Sequence, residues 1–193
     1  AYSVGGGGGA EGELGVESDK ASIGSEGREG LGGAVDVSVN GQITVKGEGA
    51  HGIFAQSASG GGESYSKGVR VSVNGTVSAQ GAKGRAILAQ ASTFYEHDED
   101  GKSPDEGIVR VFIGKGGLVE TTSSDAYETI GIMGGRTVKD TSGNILVSNL
   151  ISNSGTLRSA DLDSVVVRND KESSLQIINQ GGTFTGSLDL NSP

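Results

Sequence analysis

Residues 35–57 read VDVSVNGQITVKGEGAHGIFAQS, and residues 69–91 read VRVSVNGTVSAQGAKGRAILAQA. The two align without a gap at an offset of 34, with 10 of 23 positions identical. Most differences are mild: Ile43 against Val77, Thr44 against Ser78, Phe54 against Leu88. A fixed period of this length is the signature of stacked repeats, in which each unit buries its apolar face only against its neighbours. Val35, Val37 and Val39 alternate with Asp36 and Ser38, and Ile43 and Val45 resume the alternation. Each run therefore has one apolar and one polar face, as a strand does. Asn40-Gly41 and residues 47–49 read as bends, because Asn and Gly tolerate left-handed backbone angles. Residues 52–56 make a third short strand, so three strands and their bends form one turn of a coil. Asn40-Gly41 is also the commonest hairpin signal. The gapless return of the whole three-strand unit weighs against a plain hairpin.

Stacking the copies places Val39 on Val73, Asn40 on Asn74 and Ile53 on Ile87. Neighbouring strands would run parallel about 4.8 Å apart, with right-handed crossovers and an amide ladder from Asn40 to Asn74. A looser third unit takes residues 108–113, 118–121 and 130–135, the last (IGIMGG) aligned with 52–56. A fourth runs from Ile145 through ISNSGTL at 151–157 to 165–168, and a fifth starts at Leu175 with IINQGGTFTG at 177–186. The expectation is an all-β chain: a right-handed parallel β-helix, or β-solenoid, of about four to five rungs with Gly-rich and acidic loop insertions. Its rungs occupy residues 35–190. Residues 1–34 read as the end of a preceding rung plus a Gly/Glu-rich loop, so the chain is expected to be a piece of a longer one.

Composition agrees with a narrow coil. Gly supplies 36 of 193 residues, aromatics only 4%, and there is no Trp. A compact globule would need larger side chains to fill its middle, whereas each layer of a solenoid needs only a few small aliphatic ones. High Gly and net charge also suit disorder, but the alternating VDVSV and VRVSV strings oppose that for most of the length. A net charge of −9 with no Lys/Arg stripe argues against nucleic acid as partner. The absence of Cys excludes disulfide and thiolate chemistry. No run approaches the ~18 apolar residues of a membrane helix.

The phrase AHGIFAQSASGGG at 50–62, with AYSVGGGGG at 1–9 and AILAQAS at 86–92 beside it, resembles the passenger region of bacterial autotransporters. ISNSGTL and INQGGTF are similar to a second recurring element of that family. In this alignment Gly134-Gly135 stands where other units carry Ala-Gln. The resemblance covers most of the chain. It implies a right-handed parallel β-helix, secretion and display at the bacterial cell surface, and anchoring through a C-terminal outer-membrane barrel absent from this sequence. It implies service as an adhesin or scaffold, attaching to a host or bacterial surface protein or glycan, or to another passenger. It transfers no catalytic residues and no cofactor.

The residues themselves offer one pointed feature, YEHDEDGKSPDEG at 95–107. Glu96, Asp98 and Asp100 ahead of Gly101 have the spacing of the first half of a calcium loop. The closing bidentate Glu is missing, because Gly107 holds the twelfth position and Glu106 falls one short. A solvated acidic loop is the plainer reading. Projecting from a rigid rod, Tyr95, Glu96, Asp98, Asp100, Asp105 and Glu106 form the first choice for partner contact, together with the loops at 11–33 and 60–67. His97 lacks a companion ligand. His51 aligns with Arg85 and is expected to be a surface strand position. Asp36 and Arg70 are expected to stack as an outward ion pair of little energetic weight. The polyglycines at 5–9 and 60–62 are not phosphate loops, since no Gly-Lys-Ser/Thr follows. The expectation is therefore a non-enzymatic adhesive scaffold. The alternative is a polysaccharide-degrading β-helix, which needs carboxylates gathered on one rung face.

Overall fold

A computed structural model describes residues 33–57, 67–91, 107–135, 138–139, 141–170 and 173–190. The strands come in threes. The first triplet is β1 (Val35–Val39), β2 (Gln42–Val45) and β3 (His51–Ser57); the second is β4 (Val69–Val73), β5 (Thr76–Ala79) and β6 (Arg85–Ala91). The third is β7 (Val109–Ile113), β8 (Leu118–Thr121) and β9 (Ile130–Gly134). A short pair, β10 (Val138–Lys139) and β11 (Ile145–Val147), interrupts the series. It resumes with β12 (Asn149–Asn153), β13 (Thr156–Arg158) and β14 (Val165–Asn169), then β15 (Leu175–Asn179), β16 (Thr183–Thr185) and β17 (Ser187–Leu190).

Each triplet adds one strand to each of three five-stranded sheets: β1-β4-β7-β12-β15, β2-β5-β8-β13-β16 and β3-β6-β9-β14-β17. Every neighbouring pair in these sheets is parallel. The described residues are all-β, and the cyclic visiting order makes them a β-solenoid. Val39 lies on Val73 and Ile53 on Ile87. Asn74 Nδ2 donates to Asn40 Oδ1 at 3.2 Å. The hairpin reading of Asn40-Gly41 fails, because β1 pairs with β4 rather than with β2.

The structure departs from the sequence pattern in three places. The fourth triplet begins at Asn149, not at Ile145. Residues 145–147 turn back through Gly143, at φ 83°, and pair antiparallel with β10. An apolar run of that length marks a strand without saying which strand it joins. Next, Ile130 stacks on Ile87, so the third unit aligns with Ile53 and not with Gly52. Met133 then lies on Gln90, and Gly134 on Ala91. Such a one-residue slip reverses every face assignment along a strand. Finally, Asn40, Gly41, Asn74 and Gly75 all keep negative φ, so these bends do not depend on left-handed geometry.

Among the described residues, the fully buried apolar side chains are all Val, Ile, Leu or Ala. They stack in columns such as Val71–Val111–Ile151 and Val77–Val119–Leu157. Burying a Val- or Leu-sized side chain is worth about 1.5–3 kcal/mol, and repetition of such columns stabilises a coil with almost no aromatic filler.

Buried amides tie the third and fourth triplets together. Asn149 Oδ1 accepts from the Val109 amide at 2.9 Å, and its Nδ2 donates to the Gly134 carbonyl at 2.9 Å and to Ser173 Oγ at 3.0 Å. Asn149→Ala strands the buried Val109 N–H without its acceptor and removes the donor to the half-buried Gly134 carbonyl. The expected loss is about 1–3 kcal/mol, read as a lower urea midpoint at unchanged slope.

Candidate functional site

The connection from β8 to β9 runs over 122–129, whereas the matching connection from β5 to β6 runs over 80–84. Thr129 clamps the longer segment. Its hydroxyl meets that of Thr121 at 2.8 Å and donates to the Arg158 carbonyl at 3.1 Å. Its carbonyl accepts from the amides of Ala86 and Ile87, both at 3.1 Å. This clamp delivers Tyr127 and Glu128 to the start of β6.

Arg85, at that start, is 0% exposed in its side chain, and its Nε donates to Glu128 Oε1 at 2.6 Å. The Tyr127 ring centroid lies 4.5 Å from the guanidinium carbon, close enough for a cation–π contact. The Glu128 side chain is 3% exposed. A Cβ at Gly131 would stand 2.6 Å from Glu128 Oε1 and 3.0 Å from Leu88 Cδ1. The carboxylate thus occupies space that a side chain at position 131 would fill, the close approach for which a strand glycine is suited. Ile87 and Ala89 belong to the core cluster and Leu88 does not, so strand alternation puts Leu88, Gly131 and the carboxylate on the outer face.

Arg168 stacks on Gly131 in that outward column, and Asp189 stacks on Arg168. Arg168 Nε lies 3.0 Å from Asp189 Oδ2, and its Nη1 lies 3.8 Å from Glu128 Oε2. The result is an alternating chain of charge, Arg85–Glu128–Arg168–Asp189, buried at one end and open to solvent at the other.

The 159–164 bend forms the opposite wall. Ser159 Oγ, near the carbonyls of Asp161 (2.7 Å) and Ser164 (3.0 Å), pins its shape. Asp161 Oδ1 accepts from the amides of Asp163 (3.1 Å) and Ser164 (2.7 Å) and from Ser164 Oγ (2.7 Å). The Ser164 hydroxyl, followed by the Ser164 amide, holds the Asp161 carboxyl below the usual aspartate value. A depressed carboxylate contributes stability at neutral pH that is lost as pH falls through the folded value. In an NMR titration Asp161 should titrate below an unstructured aspartate, and Ser164→Ala should move its midpoint upward. Between the two walls lies a cleft of about 370 Å³, with Ser124, Tyr127, Glu128, Asp161, Asp163 and Arg168 among its lining residues.

Tyr95, Glu96, Asp98, Asp100, Asp105 and Glu106 lie outside the described residues, as do His97 and almost all of the 11–33 and 60–67 loops. Among the described residues no group of three or more His, Cys, Asp or Glu is placed to hold a metal ion. Asp36 and Arg70 share a register position but form no ion pair among the described residues, and the Arg70 guanidinium lies 4.9 Å from the Phe112 ring centroid. His51 is half-buried and its partner in register, Arg85, is fully buried. That column is therefore no surface row, because the longer connection has built Tyr127 and Glu128 over it. Glu128, Tyr127 and Arg168 were not singled out by the sequence reading. Their signals are the extra length of 122–129 and the glycine at 131, where the earlier copies carry Phe54 and Leu88. No family model, curated protein or solved structure matches the chain.

Proposed function

We propose that the chain is an adhesive scaffold: a stretch of a secreted, surface-displayed passenger of the autotransporter type. In this reading the solenoid winds to the right through about four to five rungs. A single observation carries the proposal. The Ala-Gln phrase on which the family resemblance rests stacks on itself, Ala55 on Ala89 and Gln56 on Gln90. The two glutamine amides meet at 2.7 Å. The alanines belong to the core cluster, so the phrase fills the tube with its small residues and bonds layer to layer with its amides. A chain built this way is a stiff rod, suited to holding contact surfaces away from a cell. Its partners would be a protein or glycan on a host or bacterial surface, or a second passenger, met first by residues 95–107.

The test is retention of the purified protein on host and bacterial cells, alongside incubation with a panel of polysaccharides with and without calcium. Retention, with no new reducing ends or unsaturated products, is the expected result. Cleavage products would instead favour the polysaccharide-degrading reading. Absence of retention, together with a monomer at every concentration in ultracentrifugation, would remove the adhesive one.

A further inference from the structure

We infer that the cleft between residues 122–129 and 159–164 is a binding subsite for an uncharged saccharide. The inference deepens the adhesive reading and rests on it for biological sense, although the binding itself can be measured alone.

Arg168 Nη1 and Glu128 Oε2 stand 3.8 Å apart. This exceeds hydrogen-bond length, and Oε2 is buried without a hydrogen-bond donor. A buried acceptor left in that state calls for an explanation. An oxygen off the line joining the two atoms could bond to both, and because Oε2 itself has almost no surface open to water, it gains that place as the Arg168 side chain, 42% exposed, swings aside. To satisfy both it must donate to the carboxylate and accept from the guanidinium, and a hydroxyl does both. The rest of the cleft narrows the ligand. Asp161 and Asp163 add two carboxylates to the lining, with Glu128 and Arg168 offsetting each other. That local excess of negative charge disfavours sulfated or sialylated sugars. Arg168, 3.8 Å from that carboxylate oxygen, disfavours an ammonium group there. Tyr127 gives the wall an aromatic surface that suits the C–H face of a pyranose ring. The ligand is held as mixed apolar and polar pockets hold theirs, by a flat wall and a few placed polar groups.

The test uses the whole protein and records amide shifts by NMR with lactose, maltose and cellobiose, and with sialyllactose as the anionic comparator. The expected result is that at least one neutral disaccharide shifts Tyr127, Ser164 and Arg168 together. Its dissociation constant should be on the order of 1 mM, and sialyllactose should bind more weakly. Arg168→Gln should weaken the binding about tenfold or more. Ser124→Trp, on the exposed rim, should block it without touching the buried pair. Thermal melts of both variants check that they fold. No shift at those residues with any of the neutral sugars would overturn the inference, as would equal binding in both folded variants. Failure here with retention on cells sinks the subsite alone, whereas sugar binding without retention sinks the adhesive reading alone.

Discussion

Glu128→Ala is expected to destabilise the protein by about 3–5 kcal/mol, because it leaves the Arg85 guanidinium buried without its carboxylate. The magnitude follows from where the pair sits. Both side chains are almost wholly withdrawn from water, and the Nε–Oε1 distance is 2.6 Å. Losing one member costs far more than the pair contributes, since the survivor keeps its desolvation penalty. The partner experiment is Arg85→Met with Glu128→Leu. Removing both charges together should restore most of the lost stability, as apolar replacement of a buried pair often does. Arg168→Ala is the control on the same chain of charges. Its side chain is 42% exposed, and solvent screening limits the loss to below about 1 kcal/mol. Urea midpoints for the four proteins decide the matter. A mild Glu128→Ala, equal to Arg168→Ala, would mean that water reaches Arg85.

Gly75→Ala and Gly41→Ala make the second large contrast. The two glycines hold the same place in successive copies, yet a Cβ on Gly75 would run into the carbonyl oxygen of Gly41, while a Cβ on Gly41 would meet nothing within 4 Å. The Gly41 oxygen cannot retreat, because it accepts from the Thr76 amide at 2.8 Å. The collision is thus between backbones, and forced packing of this kind costs about 1–3 kcal/mol, with this site at the upper end. Gly41→Ala should stay within about 0.5 kcal/mol, as surface substitutions do. Equal effects at both positions would show that the turns do not stack flush.

These two cases also mark what could be read from the letters and what could not. The offset of 34 placed Val39 on Val73 and Ile53 on Ile87, because a repeat that returns without a gap must stack in register. Short alternating Val and Ile runs located the strands for the same reason. The glycine at 75 was legible as a bend, but its physical cause, a neighbour's carbonyl, exists only between layers. The cleft was hidden for a related reason. Arg85 looked like a surface residue by alignment with His51, and what buries it is an insertion in the next layer. Glu128 and Arg168 are 40 residues apart in the chain and meet only because Gly131 vacates the space between them. Periodicity reports what the copies share, whereas the site is made where one copy departs from the others. The 145–147 run shows the remaining gap: β propensity marks a strand without choosing its partner.

The most direct test of the stacked-layer account uses the chain's lack of cysteine. Ser38 lies opposite Ser72 in the parallel pairing of β1 with β4, and the roughly 4.8 Å spacing of neighbouring strands falls inside the Cα separation of about 4.4–6.8 Å that a disulfide spans. A hairpin at Asn40-Gly41 would instead set Ser38 against Ile43. The double variant Ser38→Cys/Ser72→Cys should form an intramolecular disulfide under mild oxidation, while Ser38→Cys/Ile43→Cys should stay reduced. A disulfide in the second protein and free thiols in the first would contradict the account.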